Sequence, residues 1–114
     1  MSPEQQNVIQ LVDRAQRELR TIDRPISEIV EYLDKAKSVL QLHTPRRSDL
    51  VMILQAANRR VSLAQREIGA KLVPSAAGNH DRMRTIIQVG YLCKQARDIL
   101  DAEVLRMRCL HSRR

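Results

Sequence analysis

Phenylalanine and tryptophan are absent from this chain of 114 residues, and Tyr32 and Tyr91 are its only aromatic side chains apart from histidine. That scarcity argues against a sheet-based core, because strands fill their pleated surfaces with aromatic and β-branched side chains. It also argues against base-stacking recognition of single-stranded nucleic acid, and against a membrane-surface helix, which uses Trp or Phe to anchor the interface. Cysteine is nearly as rare. Cys93 and Cys109 are too few for a disulfide framework. On one helix they stand roughly 24 Å apart at ~1.5 Å per residue, too far to bridge. Gly69, Gly78 and Gly90 are scattered, which excludes a phosphate-cradling glycine loop. No apolar run approaches the ~20 residues of a membrane span. The opening MSPEQQ lacks the basic-then-apolar pattern of a signal peptide. A reducing, intracellular setting, cytoplasmic or nuclear, is the expectation.

What is abundant is aliphatic: thirteen Leu, nine Ile and nine Val within an apolar fraction of 43%. That fraction is too high for a disordered chain, and the length fits one domain, residues 1–114, with a modest core. The apolar residues recur at alternating fours and threes, the helical period. Ser2-Pro3-Glu4-Gln5 supplies a Ser cap, Pro at the first helical position and Gln at the third. Val8, Val12, Ala15, Leu19 and Ile22 then share a face. Asp23-Arg24-Pro25 breaks the run, and a second helix carries Ile26, Ile29, Val30, Leu33, Ala36 and Leu40. Thr44-Pro45 opens a third, with Leu50, Leu54, Ala57, Val61, Ala64, Ile68 and Leu72 on its seam. Pro74-Ser-Ala-Ala-Gly-Asn reads as a loop, and Asp81 as the cap of a fourth helix lined by Ile86, Val89, Cys93, Ala96, Leu100, Val104 and Met107. The expected architecture is all-α, an antiparallel up-down-up-down four-helix bundle with helices near 3–22, 25–43, 46–73 and 81–111. Gly90 interrupts the fourth helix, and a close helix–helix approach is its simplest explanation.

Chemistry-bearing constellations are missing. His43, His80 and His111 have no Cys, His or carboxylate at metal-ligand spacing, and no Glu-x-x-His occurs, so neither a metal nor a di-metal bundle is expected. Cys93 falls on the core seam, where burial makes a thiol inert. Glu28, Glu31 and Asp34 stand beside Arg24, Lys35 and Lys37 and read as a self-paired solvated face. The expectation is a protein without enzyme activity or cofactor.

Two resemblances bear on function. Arg60…Arg66-Glu67-Ile68-Gly69-Ala70-Lys71 is similar to the active-site helix of the all-helical chorismate mutases, which carry an Arg and a Lys at about that separation. The rest departs from that family. Arg82-Met83-Arg84 stands where the family continues with an Arg–Glu pair, and the last segment reads as one helix where the family has two. The mutase activity is therefore not expected. In layout the chain resembles focal-adhesion-targeting-type bundles, through the helix between Pro45 and Pro74 and the run IIQVGYLCKQARDIL. That resemblance, carried by features general to antiparallel bundles, implies a short acidic, leucine-rich helix as partner.

The charge is distributed unevenly. The net charge is +7, and sixteen of the twenty basic residues are Arg. Residues 1–42 hold six basic against seven acidic side chains, net −1, and each base has an acid three or four residues away. Residues 43–114 hold fourteen against six, net +8. Arg47, Arg59, Arg60, Arg66, Arg82 and Arg108, with the terminal Arg113 and Arg114, have no acid at that spacing. The first six are the candidate binding residues, on the third and fourth helices. An acidic protein or amphipathic helix is the expected partner, docking beside off-seam apolar residues such as Met52, Leu63, Leu92, Leu105 and Leu110. The alternative is a nucleic-acid backbone binder or a small ribonucleoprotein subunit, which needs charge and little else. A homodimer is a further option, since aliphatic seams also build dimers.

Overall fold

In the computed structural model the description covers residues 2–22, 27–42 and 46–112, the side chains at 47 and 110–112 excepted. Among these residues four long helices make the fold: α1 (Pro3–Arg20), α2 (Ser27–Leu40), α3 (Arg47–Glu67) and α4 (His80–Ser112). There is no strand among the described residues. The breaks at Asp23-Arg24-Pro25 and at Thr44-Pro45 lie outside those residues.

The start of α1 is closed by a capping box. The Gln5 N–H donates to Ser2 Oγ at 3.2 Å, and the Ser2 N–H donates to Gln5 Oε1 at 2.9 Å. At its other end the Thr21 hydroxyl donates back to the Glu18 carbonyl at 2.6 Å, competing with helix continuation two residues short of the expected boundary.

The end of α3 departs from expectation. Pro74 does not begin a loop. Ile68–Leu72 widen into a π-helical turn, and Val73–Ser75 resume the α form. Proline lacks an N–H, and its ring crowds the carbonyl four residues back. A π turn lies just before it, with the Val73 N–H bonded to the Ile68 carbonyl five residues back. The chain then reverses through residues 76–78, where Gly78 takes φ +81°, a left-handed conformation that suits glycine. Asn79, not Asp81, caps α4: its Oδ1 accepts from the Arg82 N–H at 3.0 Å. Asp81 sits one position into the helix, where the N-terminal dipole favours its charge.

One core runs through all four helices. Val8, Val12, Ala15 and Leu19 of α1, Ile29, Leu33, Ala36 and Leu40 of α2, Leu54, Ala57, Val61 and Ala64 of α3, and Val89, Cys93, Ala96 and Leu100 of α4 are buried. Helix α1 packs along α4, α2 along α3, and α3 along α4, with a smaller contact between α1 and α2. The buried Gln16 amide donates to Asp34 Oδ1 at 2.7 Å and to the Val30 carbonyl at 3.4 Å, tying α1 to α2. Gly90 does not mark a close helix approach: a Cβ there would meet no atom within 4 Å.

Candidate docking surface

Helix α3 turns about 100° per residue, so side chains seven apart lie on one face. Arg59 and Arg66 are such a pair, and both are exposed. Met52, a further seven residues back and 66% exposed, extends the same stripe. Arg60 is turned away from it and is half-buried. The three arginines of the NRRVSLAQREIGAK stretch therefore do not form one patch; two of them do.

The neighbouring helix completes the surface. A cleft of about 410 Å³ opens between α3 and α4, lined by Gln55, Asn58, Asp101, Val104, Leu105 and Arg108. Leu105 is 64% exposed at its edge. Met52 lies one turn before Gln55 on α3, and Arg59 one turn after it. The cleft lining includes a polar cross-helix bond: Asn58 Nδ2 donates to Asp101 Oδ1 at 2.6 Å. One turn back along α4 and two turns on along α3, Arg97 Nη1 donates to Gln65 Oε1 at 2.7 Å. Gln55, Asn58 and Asp101 were not among the sequence candidates. Their signal is weak, polar residues flanking the apolar seams of two helices whose pairing must first be known.

Arg82 belongs elsewhere. Its guanidinium reaches back to Ser75 Oγ from Nε at 3.2 Å and from Nη2 at 3.1 Å, bracing the turn that joins α3 to α4. The Arg47 side chain lies outside the description, as do Leu110, Arg113 and Arg114. Of the other off-seam residues, Leu63 is half-buried and Leu92 is fully in the core.

Arg59, Arg60, Arg66 and Arg108 make no ion pair with the described residues. Local pairing does occur elsewhere: Lys94–Asp98 at 3.1 Å, Arg106–Glu103 at 2.8 Å and Lys71–Glu67 at 3.0 Å. Bonding to Glu67 and then to Glu28 raises the Lys71 pKa, and bonding to Glu103 raises that of Arg106. Not every locally expected pair closes. Arg14, Arg17 and Lys35 form no ion pair with a described residue, while Lys37 keeps its expected partner Asp34 at 3.9 Å and also crosses to Asp13 at 2.7 Å. Lys71 likewise crosses to Glu28 at 3.2 Å, so the lysine aligned with the mutase-like pattern is held in two ion pairs.

Burial pushes the Cys93 thiol up to about 12, partly opposed by the positive charge of Arg97. Cys109 is exposed. His80 is exposed at the start of α4. Among the described residues no three His, Cys, Asp or Glu side chains gather as a metal site, and no helix is long and apolar enough to cross a membrane. No protein-family model matches the chain, and neither does any curated protein or solved structure.

Proposed function

We propose that this protein is a non-enzymatic, intracellular interaction module of the adaptor or regulatory kind. It is a single antiparallel up-down-up-down bundle that docks an acidic amphipathic helix along the α3–α4 cleft. The cross-helix bonds support the antiparallel arrangement. Asn58 to Asp101 and Gln65 to Arg97 rise along α3 as they fall along α4, and Asp13 to Lys37 and Gln16 to Asp34 do the same between α1 and α2.

The observation that carries the functional reading is the company Arg108 keeps. The cleft is lined by Arg108 and the exposed Leu105, and α3 carries the exposed Met52, Arg59 and Arg66 at spacings of seven, the first two one turn either side of the cleft residue Gln55. Burying an apolar side chain of that size contributes about 1.5–3 kcal/mol. An exposed ion pair contributes about 0–1 kcal/mol. Met52 and Leu105 therefore supply affinity, and the arginines select an acidic partner and speed its approach.

Exposed Arg14, Arg17 and Arg20 on α1 favour a second reading. They form no ion pair with a described residue and set cationic side chains outside the cleft, as a binder of nucleic-acid backbone would use.

Fluorescence anisotropy separates the two. The probes are an acidic, leucine-bearing helical peptide, a mixed-sequence RNA and a DNA duplex. Peptide binding that is lost in the Arg59→Glu/Arg66→Glu/Arg108→Glu variant, with helical circular dichroism unchanged, supports the docking module. Tight, steeply salt-dependent RNA or DNA binding without peptide binding replaces it by the second reading.

A further inference from the structure

The side of α4 away from the core carries a second pattern. Ile87, Tyr91, Lys94, Asp98, Asp101 and Leu105 are all exposed. Three of them are large apolar or aromatic side chains, at 62%, 56% and 64% exposure for Ile87, Tyr91 and Leu105. Their spacings are four, three, four, three and four, the period of a seam along which one helix meets another. The inward seam of α4, through Val89, Cys93, Ala96 and Leu100, is already occupied by the core. The outward seam has no such occupant.

That outward seam matches its own reverse. With two α4 helices laid antiparallel about residue 96, Ile87 of each faces Leu105 of the other, Lys94 faces Asp98, and Tyr91 faces Asp101. A parallel alignment sets Lys94 against Lys94 and Asp98 against Asp98. We infer that the outer face of α4 is a two-fold docking surface for a second copy of this chain, with apolar contacts at both ends and a charged centre.

The chemistry at each position fits. Lys94 and Asp98 pair within one chain at 3.1 Å while both stay largely exposed. Two copies thus bring together four charges of alternating sign. Asp101 is held by Asn58 at 2.6 Å, which fixes a carboxylate opposite the phenol of Tyr91 in the second copy. An isologous contact of this sort closes as a dimer and does not propagate. The polar centre sets register and direction at some cost in strength. From Ile87 to Leu105 is five helical turns, roughly 27 Å. A contact between single helices of that length is at the small end of stable interfaces, so the dimer is expected to be reversible. Asp101 and Leu105 are shared with the cleft; Ile87, Tyr91, Lys94 and Asp98 belong to this face alone.

Sedimentation velocity across a concentration series, up to on the order of 1 mM, tests it on the full chain. The wild type should show a monomer–dimer equilibrium. Lys94→Glu and Asp98→Lys should each weaken it at least about tenfold, corresponding to ~1.4 kcal/mol, with circular dichroism unchanged. Mixed one to one, the two variants should recover dimer, because each supplies the charges the other needs. A wild type that stays monomeric overturns the inference. So do single variants that dimerise as the wild type does, or a mixture that fails to recover. Ile87→Glu, which leaves the charged centre intact, should also be monomeric; a dimer that survives it is built on another surface.

Discussion

Asn58 on α3 donates to Asp101 on α4 across a 2.6 Å hydrogen bond, while its own Oδ1 is buried and accepts nothing from the described residues. The pair joins the two helices along the lining of the proposed docking cleft and orients the exposed Asp101 carboxylate. Asn58→Asp keeps the shape and opposes two carboxylates. The expected loss is about 1–3 kcal/mol at neutral pH. Protonating either carboxylate in acid relieves the repulsion, so the loss should shrink as pH falls. Urea unfolding at pH 7 and pH 4 checks this, and an equal penalty at both would contradict it.

Among the described residues Gln16 is the most deeply buried of the polar side chains, 2% exposed, and ties α1 to Asp34 and Val30 of α2. Gln16→Ala removes both bonds and leaves a small void, with an expected destabilisation of about 1–3 kcal/mol. Denaturant melts measure it. A loss near zero would mean that the amide bonds to Asp34 and Val30 do not hold the α1–α2 contact.

Two glycines should respond with opposite signs. Gly90 lies within a continuous helix with room for a Cβ, so Gly90→Ala should stabilise by about 0.5–1 kcal/mol. Gly78 has φ +81°, where a side chain is strained, so Gly78→Ala should destabilise by about 1 kcal/mol. Thermal melts of the two variants side by side decide the matter.

Cys93 should make stability fall in alkali. Its thiol is pushed from an ordinary value of 9.0 to about 12 in the folded chain. Between those values the unfolded state has lost a proton that the folded state keeps. Each pH unit there should cost up to about 1.4 kcal/mol. Cys93→Ala should remove this slope from a stability–pH profile taken above pH 9, and an unchanged slope would contradict the assignment. At pH 8 a thiol reagent should modify Cys109 and spare Cys93 in the native protein.

The helical seams were legible because burial follows a period that needs no partner to be seen. Val8, Val12, Ala15 and Leu19 are all buried, as are Ile29, Leu33, Ala36 and Leu40. Local punctuation was legible at Ser2 and misread at two places. Asn79 and Asp81 are both good caps two residues apart, and composition alone does not choose between them. Pro74 stops a regular α-helix, but a π turn before it lets the helix continue, a local solution that no single residue announces. Arg60 could have been separated from Arg59 and Arg66 by the helical period alone. The ion pairs Lys37–Asp13 and Lys71–Glu28 could not, since they depend on which helices meet and at what register. The same holds for the cleft, which joins Gln55 and Asn58 to Asp101 and Arg108 across more than forty residues of chain.

Mapping amide shifts in the 15N–1H spectrum of the full chain, titrated with the acidic helical peptide, tests the docking surface most directly. Shifts concentrated at Met52, Gln55, Arg59, Leu105 and Arg108, absent in the Met52→Glu/Leu105→Glu variant, are the predicted result. Shifts gathered on α1 or α2, or none at saturating peptide, would contradict it.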